Sequence, residues 1–260
     1  MDIVVTHIDT ACVLIEINGY RILTDPTLDQ PGAWYHHGFG AFSKKTAGPA
    51  VATLDKIDLV LLSHHQHKDN LDTKGRAILA QVPLVISTKT AARAIPGVMG
   101  LYAWDSLAIS TAKIPGLRIT ATPAQHRPWW LPEFISGKVI GFIIEFEGQH
   151  NGVIYISGDT VYFNGLAEVS RRFKIDIGLF HVGDVQFRYL TGCGSYTMDG
   201  NSLLKAVQLM QPNVVIPIHH FGWSHFKQKP IALEELLLSA NETKDKVILL
   251  SPGIATRFER

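Results

Sequence analysis

After a short apolar run at 57–62 the chain reads Ser63-His64-His65-Gln66-His67-Lys68-Asp69-Asn70-Leu71-Asp72. Three imidazoles and a carboxylate fall within six residues, and imidazole is the commonest protein metal ligand. Side chains two apart in an extended segment project to the same side, so this loop can present two nitrogen donors and one oxygen donor to a cation. A solvated polar turn is the bland alternative, but it gives no reason for such a density of ligands. Three further donors stand just past other apolar runs: His126 after 117–122, Asp159 after 153–157 and His219 after 214–218. Taken singly each reads as a core or cap residue. Taken together they occupy strand ends, where loops of a layered sheet converge on one site.

The other histidines divide by context. His7 and His181 lie on apolar strand patterns and read as satisfied core residues, while His150, inside Glu147-Gly148-Gln149-His150-Asn151-Gly152, reads as a hairpin turn. His36, His37, His220 and His225 lie in loops able to border a pocket. His36, Trp129, His220 and His225 are the candidates for substrate contact, with Trp34, Tyr35 and Trp130 available as pocket wall or as packing beneath a long loop. Lys44-Lys45 reads as an ordinary solvated pair, with phosphate recognition as the alternative.

The elements that must position these groups are legible as periodicities. Runs at 11–17 and 20–24 flank Asn18-Gly19, a two-residue hairpin turn. Residues 26–54 form a connection too long for an ordinary turn and rich in aromatic side chains, as loops bordering a functional site often are. Further strands are expected at 57–62, 84–87, 117–122, 139–146, 153–157, 175–182, 214–218 and 247–250. Helical spacing marks 71–81, 164–173, 199–210 and 232–240. Two sheets flanked by helices accommodate this order, and no repeat or linker divides residues 1–260, so one α/β domain is expected.

Composition excludes several classes. Of the 260 residues 46% are hydrophobic and 18% charged, as in globular proteins, and no apolar run approaches the roughly 18 residues of a membrane span. The 24 basic and 23 acidic residues, net +1, leave no basic stripe for nucleic acid or an anionic membrane. A small-molecule substrate is the remaining partner class, and oligomeric state is not encoded in bulk hydrophobicity. Two cysteines and no secretory leader fit a reducing cytoplasm.

The ligand loop resembles the metallo-β-lactamase superfamily, whose hallmark is His-x-His-x-Asp-His at a strand end. His65, His67 and Asp69 fit it in register, with Asn70 where the last His belongs. Ser63-His64 fits equally if one residue is inserted before His67, as in a subgroup reading Ser-His-Asp-Gln-His-x-Asp-Asn-Leu-Asp. His67 and Asp69 hold in both registers; His64 and His65 compete. The resemblance extends through Leu23-Thr24-Asp25-Pro26, Thr122-Pro123-Ala124-Gln125-His126, Ser157-Gly158-Asp159-Thr160, and Pro217-Ile218-His219 with Gly222-Trp223-Ser224-His225-Phe226. The L-ascorbate-6-phosphate lactonase-like group is the most similar by motif.

This resemblance implies a four-layer αββα sandwich carrying one or two divalent metal ions. His64 or His65, with His67 and His126, would hold one ion; Asp69, Asp159 and His219 would hold a second, Asp159 being shared. Zinc suits such a set, and manganese or iron tolerates it. An amide is a poor substitute for imidazole, so Asn70 implies a weaker second site or one that recruits a spare His64, His65 or His220. The implied activity is a hydrolase in which a metal-bound hydroxide attacks a small ester, lactone or phosphoester while Asp69 orients it or takes its proton. A phosphodiesterase or nuclease, and a metal-binding relative without catalysis, are the alternatives.

Overall fold

The computed structural model describes residues 2–259. The chain opens with β1 (Asp2–Asp9), β2 (Cys12–Ile17) and β3 (Tyr20–Thr24) as an antiparallel meander. Asn18 and Gly19 close the second hairpin at φ +48° and +75°, the two left-handed residues that a tight two-residue turn requires. Within the long connection, β4 (Trp34–His36) and β5 (Phe42–Lys44) pair as a separate ribbon. β6 (Leu59–Leu61), α1 (Thr73–Ile78), β7 (Leu84–Thr88), α2 (Lys89–Ala94) and β8 (Val98–Leu101) then extend the first sheet in parallel fashion from β3.

The second sheet is built from β9 (Ser106–Ala108), β10 (Arg118–Pro123), β11 (Ile140–Glu145), β12 (Val153–Ile156), β13 (Ile175–His181) and β14 (Val214–Ile218), in the order 14-13-12-11-10-9. Helices α3 (Glu133–Ser136), α4 (Gly165–Arg172), α5 (Arg188–Thr191), α6 (Gly200–Met210) and α7 (Pro230–Ser239) fall between or after these strands. Finally β15 (Ala255–Glu259) returns to pair with β1 at the edge of the first sheet.

Three apolar interfaces between four layers make this an αββα sandwich. Alternate residues of the first sheet (Val13, Ile15, Ile22, Leu59, Leu61) meet Ile119, Phe142, Ile156, Leu179 and Ile216 of the second in one buried cluster. The intervening residues (Cys12, Leu14, Leu23, Val60, Leu62) pack with Leu71 and Leu79 beside α1. On the far side Tyr155, Phe180 and Val215 pack against Leu166 and Val169 of α4, Leu203 and Val207 of α6, and Leu233 and Leu237 of α7. Both faces of the central strands are therefore largely apolar, which is why 57–62 reads as a continuous run. Residues 247–250, expected as a strand, contribute one bridge from Val247 to Val215.

The Lys44-Lys45 pair corrects the expectation of two solvated side chains. Lys44 lies at the surface, but Lys45 is fully buried, its Nζ 2.7 Å from Asp9 Oδ2 and 3.0 Å from Asp72 Oδ2. Asp72 also caps α1 by accepting from the Gly75 amide at 2.8 Å, and accepts from the Asp29 amide at 2.6 Å. One cation thus ties β1 and the long connection to the downstream end of the ligand loop. Lys45→Met would leave two carboxylates buried without their cation and is expected to cost about 3–5 kcal/mol, read as a lower urea midpoint. An unchanged midpoint would contradict the burial of this triad.

Burial also holds His7 and His220 down to about 4, against an ordinary 6.5. Below 6.5 the unfolded chain takes up protons that the folded one refuses. Stability is therefore expected to fall as pH drops from 6.5 towards 4, by about 1.4 kcal/mol per pH unit for each histidine, with no contribution from them above 6.5. Urea titrations across that window would show the slope; a flat profile would mean these rings are charged or solvated in the fold.

Candidate metal centre

All the candidate donors follow the C-terminal ends of strands. The ligand loop follows β6, which runs parallel to β3; His126 follows β10, Asp159 follows β12 and His219 follows β14. β12, β13 and β14 are parallel, and β10 shares their direction because both β10 and β12 are antiparallel to β11. Two backbone features fix the final turns. Gly158 has φ +60°, and a Cβ there would sit 2.5 Å from the Ile140 carbonyl oxygen, so glycine alone delivers Asp159 to its position. His219 itself adopts φ +57°, rare for a side chain of its size, and is held there by its amide donating to the Thr10 carbonyl at 2.8 Å.

His64, His67 and His126 converge. Nδ1 of His67 lies 2.9 Å from His64 Nε2 and 3.1 Å from His126 Nε2. Two nitrogens bound tetrahedrally to one zinc-sized ion stand roughly 3.3 Å apart, so the spacing is that of ligands sharing a cation. The remaining nitrogens set the tautomers: His126 Nδ1 donates to the Tyr196 carbonyl at 2.9 Å, and His64 Nδ1 lies 2.9 Å from Ser63 Oγ. Burial, reinforced by neighbouring imidazoles, holds His64 and His67 well below the ordinary range, and burial brings His126 to about 4. Neutral rings with convergent lone pairs are what a metal ligand must be.

Beside them Asp69, Asp159 and His219 form a second cluster of donors, mutually within 4.8 Å. His219 Nε2 is 3.3 Å from Asp69 Oδ2, and its Nδ1 is 3.6 Å from Asp159 Oδ1; Asp159 Oδ2 lies 3.8 Å from Nδ1 of His126, the nitrogen turned to Tyr196 rather than the Nε2 that faces His67. Burial pushes Asp159 up to about 7, opposed by His219. For His219 burial is overcome by the Asp159 and Asp69 carboxylates, which hold the imidazole above its usual range. Asp69 Oδ1, Asp159 Oδ2 and both ring nitrogens of His219 are buried without a hydrogen-bond partner. Orphaned donors of this kind in one spot fit a divalent cation.

Asn70, which stands where the family motif has its last His, does not aim oxygen at its neighbour. Its Nδ2 lies 3.4 Å from Asp159 Oδ1 and 3.5 Å from Ser63 Oγ, so the amide steadies the carboxylate as a donor. The spare imidazoles here are other than those the sequence suggests. His225 Nε2 donates to Asp69 Oδ2 at 2.9 Å, and His37 Nδ1 lies 3.5 Å from Asp69 Oδ1. His181, expected as a core residue, is indeed buried and bonded to Ser157, yet its Nε2 lies 3.4 Å from Asp25 Oδ2 and 4.0 Å from Asp159 Oδ1.

The other candidates lie elsewhere. His65 is partly exposed and belongs to neither cluster, so the geometry takes His64 and leaves His65 out. His36 is exposed and packs on Phe42, and Trp129 is 85% exposed; neither lines a cavity at the clusters. His220 is buried against Phe221 and belongs to neither donor cluster nor the cavity lining. His225 alone of the four substrate candidates lines the cavity above the donors. That cavity, about 220 Å³, is bordered by His37, His67, Asp69, His126 and His225 and walled by Phe39, Leu131, Ile135, Val185, Phe187, Leu190 and Tyr196. No Lys or Arg borders it among the described residues.

Comparison with known proteins places this geometry in context. A model of the Beta-lactamase superfamily domain matches residues 4–219. A UPF0173 metal-dependent hydrolase of Pelotomaculum thermopropionicum is 30% identical over 206 residues, covering 76% of this chain and 81% of the relative. One of the same description from Methanosarcina mazei is 25% identical over 255 residues and covers 97% of each chain. Among solved structures, the isothiocyanate hydrolase from Delia radicum gut bacteria superposes with a TM-score of 0.76 at 22% identity, covering 98% of both chains. The metallo hydrolase Igni18 of Ignicoccus hospitalis does so with 0.73 at 23%, covering 100% of both. The structural likenesses speak to fold.

The two histidine registers can be separated by metal content. His64→Ala is expected to lose the more tightly held ion, with affinity falling at least about tenfold, whereas His65→Ala should retain the parent stoichiometry after dialysis. Elemental analysis of both folded variants checks this, and retention by His64→Ala with loss by His65→Ala would reverse the assignment.

Proposed function

The chain belongs to the beta-lactamase superfamily and is a metal-dependent hydrolase, and we propose that it cleaves a small, uncharged carboxylic ester or lactone. The observation that carries this reading is the pairing of three imidazole nitrogens with a second, carboxylate-rich donor set directly bordering a cavity free of Lys and Arg. His64, His67 and His126 would hold one ion, and Asp69, Asp159 and His219 a second, with Asp159 the residue that would be shared. Zinc is the proposed metal because nitrogen-rich, tetrahedral sets suit it. When bound, such an ion lowers the pKa of its water from 15.7 to about 7 and polarises the oxygen of the electrophile.

The protein's own groups supply the rest. Asp69, held well below the usual carboxylate range because His225 and His219 overcome the effect of burial, stays ionised and can orient a water or accept its proton. His225, donating to Asp69 and stacked on Phe187 with the rings 10° from parallel, fixes that carboxylate against the cavity. The apolar wall excludes bulk water and strengthens each of these contacts.

The charge of this cavity favours the neutral substrate classes, whereas a neighbouring cavity of about 410 Å³ that shares His126 carries Lys89, Arg127 and Lys138. A phosphoester, or the phosphorylated lactone of the group that the sequence resembles, would bring anionic oxygens into a cavity lacking a bidentate or point-charge cation to receive them. A carbonyl electrophile makes no such demand. A heterocumulene, the substrate type named for the isothiocyanate hydrolase of similar fold, has an electrophilic carbon of equal neutrality and belongs in the same screen. The near balance of 24 basic against 23 acidic residues likewise supports a small molecule over a nucleic acid. A reducing cytoplasm suits two free cysteines, one buried and one exposed.

Turnover of neutral esters and lactones is expected to vanish with a chelator and return with zinc. Asp159→Asn should lower kcat at least about 100-fold with little change in fold by circular dichroism. Full metal-dependent turnover by a folded Asp159→Asn protein would contradict its shared role, and turnover of phosphodiesters alone would overturn the substrate class.

A further inference from the structure

The apolar wall does not stop at the cavity. Phe39 and Leu190 line it and are nevertheless 64% and 45% exposed, and Phe134, 73% exposed, meets Phe39 edge-on with ring centroids 6.4 Å apart. These side chains come from three separate segments: the turn between β4 and β5, the short helix α3, and α5. Single exposed apolar residues need no explanation, but an apolar rim continuous with a pocket over a metal centre marks a binding surface. The rim is anchored as well as exposed, since the Tyr189 hydroxyl next to Leu190 accepts from the Phe42 amide at 2.7 Å and joins α5 to the ribbon.

Resting on the ester or lactone reading above, we propose that the natural substrate carries an extended apolar group, alkyl or aryl. It runs from the electrophilic centre past Ile135 and Phe187 and out between Phe39, Phe134 and Leu190. Continuity chooses this occupant: inner wall and outer rim share Phe39 and Leu190, so a chain bound at the centre has an unbroken apolar path across the rim. Nothing bordering the cavity offers a charged partner to the far end of such a chain, so the group is hydrocarbon in character until it meets solvent.

Each methylene buried along this path contributes about fourfold in affinity. The test measures binding of straight-chain 1-alkanols from four to ten carbons to the zinc-loaded protein by calorimetry, beside turnover of 4-nitrophenyl esters of matching acyl length. The proposal expects alkanol affinity to climb about three- to fourfold per carbon until the rim is passed, with kcat/KM following, and expects Leu190→Asp and Ile135→Asp to flatten the climb. A flat alkanol series overturns it even if short esters are hydrolysed. A rising alkanol series with no ester turnover would instead sustain the channel and sink the ester reading. A flat series with self-association, or with binding to phosphatidylcholine vesicles, abolished by Phe134→Asp, would assign the rim to a second copy or a membrane and defeat the proposal. Should either variant fail to fold, the wild-type alkanol series decides alone.

Discussion

The structure depends on a set of buried donors gathered in one spot, several of which have no hydrogen-bond partner. Three imidazole nitrogens sit about 3 Å apart, and beside them two carboxylate oxygens and both nitrogens of His219 are sealed from water without hydrogen bonds. Unmet polar atoms at that depth cost roughly 1–3 kcal/mol each, more when charged. A divalent cation removes that penalty at a stroke and converts it into affinity. The fold must therefore be stable enough elsewhere to carry the site, and three apolar interfaces between four layers provide that margin.

The same logic explains the support around the donors. Lys45 lies buried between Asp9 and Asp72, at the downstream end of the ligand loop, while Ser63 at its upstream end donates its amide to Asp25 Oδ1 at 2.7 Å. The loop is thus clamped at both ends and its imidazoles cannot drift apart. Asp25, with φ +30°, and His219, with φ +57°, place strain beside the site, where the surrounding sheets over-determine it. Asn70 contributes in a different way from the imidazole it replaces, as a donor to Asp159 that leaves the second donor set with one nitrogen fewer.

Much of this was legible in the amino-acid order. The hairpin at Asn18-Gly19, the buried runs of β6 and β13 and the helices α4, α6 and α7 follow from turn chemistry and periodicity. Strand-end placement of His67, Asp69, His126, Asp159 and His219 was readable for the same reason. Three things were not. The choice of His64 over His65 depends on the turn taken by a six-residue loop, which spacing leaves open. Lys45 looked solvated because the two carboxylates that bury it are 36 and 27 residues away. His37 and His225 meet Asp69 only through folding of the long connection and of the segment after β14, and periodicity carries no information about such loops.

The measurement that bears most directly on the central claim is anomalous diffraction from crystals of the zinc-loaded protein. A peak within about 2.3 Å of His64 Nε2, His67 Nδ1 and His126 Nε2, with a second, weaker one at Asp69, Asp159 and His219, is the predicted result. Zinc bound only at surface histidines such as His36, with these donors left to hydrogen-bonded water, would contradict it.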